Sequence, residues 1–166
     1  MTKAAPEGKG QTTLARARQV VFRLMRYRSR SVKEIRVKLR DRGFDDKTRD
    51  ETVRYFRDLG MLDDALFARA WITSRLRKPI GIRRIHRELT AKGIDPEIIA
   101  AELNRAKNEY NENETIRALV RRRMRQYRQL DRARSRQRLT AYLIRRGFSA
   151  DEIFKVIRET YRHDRS

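Results

Sequence analysis

Cysteine is absent from the 166 residues. That excludes disulfides, thiolate metal sites and cysteine nucleophiles, and it fits a reducing compartment. Only three prolines and seven glycines interrupt the chain, so regular backbone can run far between breaks. No run approaches the roughly 20 apolar residues of a membrane-spanning helix. Residues 1–12 are polar, contain Pro6, Gly8 and Gly10, and lack the apolar stretch of a signal peptide. They are read as a flexible N-terminal tail, and the protein is expected to be soluble and cytoplasmic, with no membrane partner.

Groups that could do chemistry are also scarce. The two histidines, His86 and His163, make no pair at metal-ligand spacing, and His86 sits beside Ile85 in a basic stretch. Gly8-Lys9-Gly10-Gln11 lacks the upstream glycine and the hydroxyl after lysine that a phosphate-binding loop requires. Asp45-Asp46 and Asp63-Asp64 could hold Mg²⁺ in a nuclease. Both pairs stand at predicted helix starts, where capping accounts for them without a metal. The expectation is a protein with no cofactor, no metal and no catalytic residues.

Acid is the minority charge: 22 Asp plus Glu face 43 Lys plus Arg, for a formal net charge of +21. Such an excess points to polyanionic partners, either DNA, RNA, a nucleoprotein assembly or an anionic membrane. Arginine dominates over lysine, which suits bidentate phosphate contacts. The hydrophobic fraction of 39% is low for a compact globule, yet the apolar residues are well placed.

Their placement repeats. Ile35-x-x-x-Leu39-x-x-x-Gly43-Phe44-Asp45 returns as Ile85-x-x-x-Leu89-x-x-x-Gly93-Ile94-Asp95, and again as Leu139-x-x-x-Leu143-x-x-x-Gly147-Phe148-Ser149. The paired apolar residues share one helical face. Glycine falls where a helix needs a left-handed residue to stop, and Asp or Ser then caps the next helix. Copies separated by 50 and 54 residues predict an elongated all-α array of three tandem three-helix repeats. The first repeat is assigned to residues 13–60, the second to 61–110, the third to 111–160, and residues 161–166 to a frayed end. Predicted helices include 13–27, 32–42, 47–59, 64–76, 81–92, 114–130 and 132–146. One more opens after Asp95 and runs to about Tyr110, and the last follows a capping box at Ser149 and Glu152.

Three basic bands follow the array. The densest holds Arg121, Arg122, Arg123, Arg125, Arg128, Arg132, Arg134, Arg136 and Arg138, against one acid, Asp131. A second holds Arg75, Arg77, Lys78, Arg83, Arg84 and Arg87. A third spans Arg23 to Arg42. Together they predict a continuous charged surface for a long ligand, because neutralised phosphates release counterions. Tyr127 lies inside the densest band and could stack on a base, although a core role suits it better.

The middle repeat is specific enough to carry a resemblance. Leu62-Asp63-Asp64, Phe67, Trp71, Arg75, Gly81, Arg84-Ile85, Glu88-Leu89 and Lys92-Gly93-Ile94 resemble the RecX family, regulatory proteins of the RecA recombinase, and the flanking repeats occur in the expected order. Met61 departs from it, since the family usually has an aromatic residue there, and the last repeat is unusually arginine-rich. The resemblance implies a curved array that docks in the groove of a RecA filament on DNA. It further implies restraint of RecA recombinase, ATPase and coprotease activities in recombination and the SOS response, without catalysis. The implied partners are the RecA filament and single- and double-stranded DNA, and the chain is expected to be a monomer. A general DNA- or RNA-binding protein with helix-turn-helix-like modules is the alternative, which the basic bands alone would equally allow.

Overall fold

The computed structural model describes residues 7–107 and 110–163, and every regular element among them is an α-helix. In chain order these are α1 Glu7–Tyr27, α2 Val32–Arg40, α3 Asp46–Asp58, α4 Asp64–Leu76, α5 Ile82–Ala91, α6 Pro96–Lys107, α7 Glu112–Gln126, α8 Arg132–Arg145 and α9 Ala150–His163. Two expectations at the ends are revised. Helix α1 begins at Glu7, inside the segment read as a tail, so the glycines at 8 and 10 are helical. Helix α9 runs to His163 with Tyr161 buried, inside the segment read as frayed. Residues 1–6 and 164–166 of those segments lie outside the described residues.

The sequence repeat becomes a repeated turn. After α2, the Gly43 N–H donates to Arg40 O and the Phe44 N–H to Leu39 O. The same pair of bonds recurs after α3 at Gly60, after α5 at Gly93 and after α8 at Gly147. This is the Schellman closure, which needs a left-handed residue at the turn, and these four glycines have φ between 65° and 86°. The residue that follows folds back onto the last turn, so Ile94 and Phe148 are buried. Helix starts are fixed as locally. Ser31 and Glu34 form a complete capping box on α2, and Asp45, Asp63, Asn111 and Asp131 each accept an amide of the following turn. The box predicted at Ser149 forms only in its serine half: Ser149 Oγ accepts the Glu152 amide, while Glu152 Oε2 is buried without a partner.

Each unit buries its own apolar cluster. Ala17, Val21, Ile35, Leu39, Val53 and Phe56 make the first. Phe67, Ile72, Ile85, Leu89, Ile99 and Leu103 make the second. Ile116, Val120, Leu139, Leu143, Phe148 and Ile157 make the third. Leu62, assigned to the second repeat, packs in the first cluster, because the turn at Gly60 folds it back onto Phe56. The principal helix–helix packing stays within units: α1 to α3, α4 to α6, and α7 to α9.

Adjacent units meet at two joints built on one plan. At the first, the N-terminus of α2 abuts the turn after α5: Ser31 Oγ donates to Lys92 O at 2.7 Å, and the Val32 N–H to Asp64 Oδ1 at 2.9 Å. At the second, the N-terminus of α5 abuts the turn after α8: the Gly81 N–H donates to Arg146 O at 2.9 Å, and the Ile82 N–H to Glu112 Oε1 at 3.0 Å. In both, an acid in the first turn of the next unit's first helix satisfies an otherwise orphaned helix N–H. Arg146 adds a bond to Pro79 O at 2.7 Å, and the Tyr110 hydroxyl one to Ile80 O at 3.1 Å. At Gly81 a Cβ would overlap the Gly147 carbonyl and the Phe148 amide. Glycine at the α5 cap is therefore a matter of close approach, since its φ of −80° suits any residue.

Candidate polyanion interface

The predicted basic residues fall into two groups. Some are tied into the fold. Arg75 Nε donates to Glu88 Oε2 at 2.6 Å and Arg84 Nε to Glu88 Oε1 at 3.1 Å. The Trp71 Nε1–H joins the same carboxylate at 3.0 Å, while the Arg75 guanidinium lies 4.4 Å from the Trp71 ring centre. Burial pushes the Glu88 carboxyl up, but the Arg75, Arg84 and Trp71 hydrogen bonds outweigh it and hold the group below its ordinary range. Arg123 stacks 4.3 Å over Tyr142 and donates to Gln126, Arg132 donates to the Tyr161 carbonyl, and Arg134 pairs with Asp131 at 3.2 Å.

The others are exposed and have no ion-pair partner among the described residues: Arg77, Lys78, Arg83, Arg87, Arg121, Arg122, Arg125 and Arg128. The first unit carries both kinds. Arg28 pairs with Glu34 and Arg36 with Asp50, and Lys33 packs against the turn at Gly93. Arg40 pairs with Asp41, but Arg23, Arg26, Arg30, Lys38 and Arg42 of that band make no ion pair among the described residues, so unpaired charge is present on all three units.

Two arginine clusters mark this surface. At the second joint, Arg122, Arg123 and Arg146 surround Tyr142 beside Pro79 in a cleft of about 130 Å³. The guanidiniums of Arg123 and Arg146 lie 4.3 Å and 4.9 Å from the Tyr142 ring centre. At the outer end of the third unit, Arg132, Arg136, Arg158 and Arg162 gather about Tyr161 in a cleft of about 280 Å³. Neither lining contains a carboxylate, so the guanidinium charge is not neutralised within either cleft, although Arg123, Arg132 and Arg146 each give one N–H to a protein oxygen. Arg146, Arg158 and Arg162 escaped the sequence reading because helix packing, rather than chain proximity, brings them to the bands. The i, i+4 spacing of Arg132 with Arg136 and of Arg158 with Arg162, on two helices that pack together, was the available signal. Tyr127, half-buried against the third core, takes the core role.

The residues that carried the family resemblance serve another purpose. Phe67, Ile85 and Leu89 are core, Asp63 caps α4, and Trp71 stacks on Phe67 with ring centres 5.8 Å apart. Asp64, Gly81 and Gly93 build the joints. Asp63 and Asp64 are thus both committed as caps, and no group of three or more His, Asp or Glu able to hold a metal occurs among the described residues. No helix there is long and apolar enough to cross a membrane.

An all-α protein of three tandem three-helix units, joined cap to turn and carrying unpaired arginines on each of them, is the class that fold and surface define. Family models of the first, second and third three-helix domains of RecX match residues 17–56, 63–103 and 110–157. The regulatory protein RecX of Streptomyces coelicolor is 32% identical over 144 residues, covering 86% of this chain and 76% of that protein. The regulatory protein RecX of Mycobacterium leprae is 34% identical over 160 residues, covering 95% and 92%. The crystal structure of RecX from Lactobacillus salivarius superposes with a TM-score of 0.82 over 90% of this chain and 97% of that one, at 21% identity. The chain belongs to the RecX family of regulatory proteins.

Proposed function

We propose that this protein is a non-catalytic regulator that binds RecA–DNA filaments and restrains RecA recombinase, ATPase and coprotease activities in recombination and the SOS response. The observation that carries the reading is the arrangement of charge. Unpaired arginines and lysines lie on all three units of a tandem array. An array of this kind presents an extended surface, which suits a ligand longer than one unit, such as a coated strand. Phosphate contacts would supply affinity, and contacts from the middle unit would supply selectivity for the coated form. Occupying the space between neighbouring protomers needs no chemistry of its own.

The test is DNA-dependent ATP hydrolysis by purified RecA at modest salt. Near-stoichiometric amounts of this protein should suppress it. Undiminished hydrolysis at those amounts would reject the reading. A plain nucleic-acid binder is favoured by the acid-free cleft of Arg132, Arg136, Arg158 and Arg162, and would inhibit only where it strips bare DNA.

A further inference from the structure

We propose that the groove between the second and third units is a docking site for an acidic, apolar helix of the protein partner. The inference deepens the functional reading above and rests on its premise that the ligand includes a protein. The groove has a volume of about 560 Å³ and lies between α5, α6 and the turn after α8. Ile82, Leu103 and Ile144 form an apolar floor, and Ile144 is 49% exposed. Arg83, Arg87 and Lys107 form the rim. None of the three makes an ion pair; Lys107 Nζ reaches only Asn104 Oδ1, at 3.4 Å. No carboxylate is in the lining itself; the nearest acid is Glu112, which accepts the Ile82 N–H behind the groove and attracts Arg83 and Lys107 without forming an ion pair with either.

The equivalent joint between the first and second units gives an internal comparison. Its concavity is lined by Lys33, Arg36 and Arg57 together with Asp63, Asp64 and Asp95. Acid balances base there, so the repeat geometry alone does not produce a cationic groove. The combination of apolar floor and unpaired cationic rim belongs to the second joint. A nucleic-acid backbone would engage the rim and leave Ile144 against water. A helix with apolar residues at i, i+3, i+4 and i+7 and acidic flanks uses both, burying the floor while its carboxylates meet the rim.

The probe is a fluorescein-labelled peptide of roughly four to five helical turns, with leucine at those positions and glutamate on the flanks, followed by anisotropy. A scrambled peptide of identical composition reports attraction to net charge alone. The patterned peptide should bind at least about tenfold tighter than the scrambled one. Ile144→Ala should weaken it about fivefold to tenfold, as for a central apolar contact. Arg83→Glu combined with Arg87→Glu should abolish the preference, and Arg23→Glu with Arg26→Glu, outside the groove, should leave it intact. Equal binding of the two peptides overturns the proposal, as does an Ile144→Ala variant with unchanged affinity. A single-stranded oligonucleotide whose binding falls as steeply on Ile144→Ala would make the groove a nucleic-acid surface and also overturn it. These titrations contain no recombinase. Loss of ATPase inhibition would therefore remove the functional reading alone, and loss of the peptide preference would remove the groove alone.

Discussion

Replacing Gly81 by Ala should open the second joint while leaving the three cores intact. The local backbone accepts alanine, because φ is −80° and ψ 154°. The obstacle is the facing turn, whose Gly147 carbonyl and Phe148 amide occupy the space of the new methyl. Those are backbone atoms held by the closure of α8, so they cannot swing aside like a flexible side chain. Relief requires the units to separate by about one ångström, past normal contact distance. That stretches four bonds: Gly81 to Arg146, Ile82 to Glu112, Arg146 to Pro79 and Tyr110 to Ile80. At about 1 kcal/mol net for each bond, the loss is at most about 4 kcal/mol. Reduced entropy of the unfolded chain returns about 0.4–1 kcal/mol, so the expected net destabilisation is at most about 3–3.6 kcal/mol. Gly43→Ala is the matched control. Nothing lies within 4 Å of a Cβ there, and the only cost is the left-handed conformation at φ 79°, about 1–2 kcal/mol. Amide hydrogen exchange separates the two. In Gly81→Ala, the residue 81 and Ile82 amides should lose protection while those of Ile85, Leu89 and Leu143 keep theirs. Wild-type protection at both joint amides would refute the close-approach argument.

The joints also carry the pH dependence. Burial pushes the Glu34 carboxyl up, but hydrogen bonds from Arg28 and Lys92 outweigh it and hold the group at about 2. Its stabilisation is present above the ordinary carboxylate range and disappears as pH falls toward 2. Glu34→Gln should therefore lower stability by about 1–3 kcal/mol at pH 7, after allowance for the half-exposed Arg28, and converge on wild type in urea melts near pH 2. Glu112 behaves in the opposite sense. Burial raises it, Glu152 raises it further, and the Ile82 N–H only partly offsets this. The folded state there binds its proton more readily, so acidification through that window favours folding. Glu112→Gln, which keeps an acceptor for Ile82, should match or exceed wild-type stability at pH 7, whereas Glu112→Ala should lose about 1–3 kcal/mol by orphaning the N–H. Alanine at Arg121, Arg122, Arg125 and Arg128 should weaken single-stranded DNA binding without loss of helicity. It should also flatten the salt dependence by about 0.7 per phosphate contact removed; an unchanged slope would take these residues off the interface.

Most of the fold was legible because its signals are local. Paired apolar residues one turn apart, a glycine four residues on and an Asp or Ser cap just beyond fix a helix end, a turn and a helix start within eleven residues. Helix α4 has the predicted bounds. Misses arose where partners are distant in the chain. Asn111 caps α7 so that Glu112 can reach Ile82, which moves the helix start from the expected residue 114; nothing near residue 112 announces that bond. The resemblance rested on residues such as Phe67, Gly81 and Gly93, which proved to be core and joint. A repeat fold constrains its cores and its close approaches more tightly than its solvent-facing arginines, so the family was readable from positions that touch no ligand. The basic bands were visible as composition, but their sorting was not. Arg75, Arg84 and Glu88 lie up to 13 residues apart, and only α4 packing on α5 reveals that two of the three charges cancel.

Partition of the labelled protein between bare and RecA-coated single-stranded DNA, across a salt series, tests the central claim most directly. Preference for the coated strand that persists as salt screens phosphate contacts is the predicted result. Preference for bare DNA, with affinity lost along a slope set by phosphates alone, would contradict it.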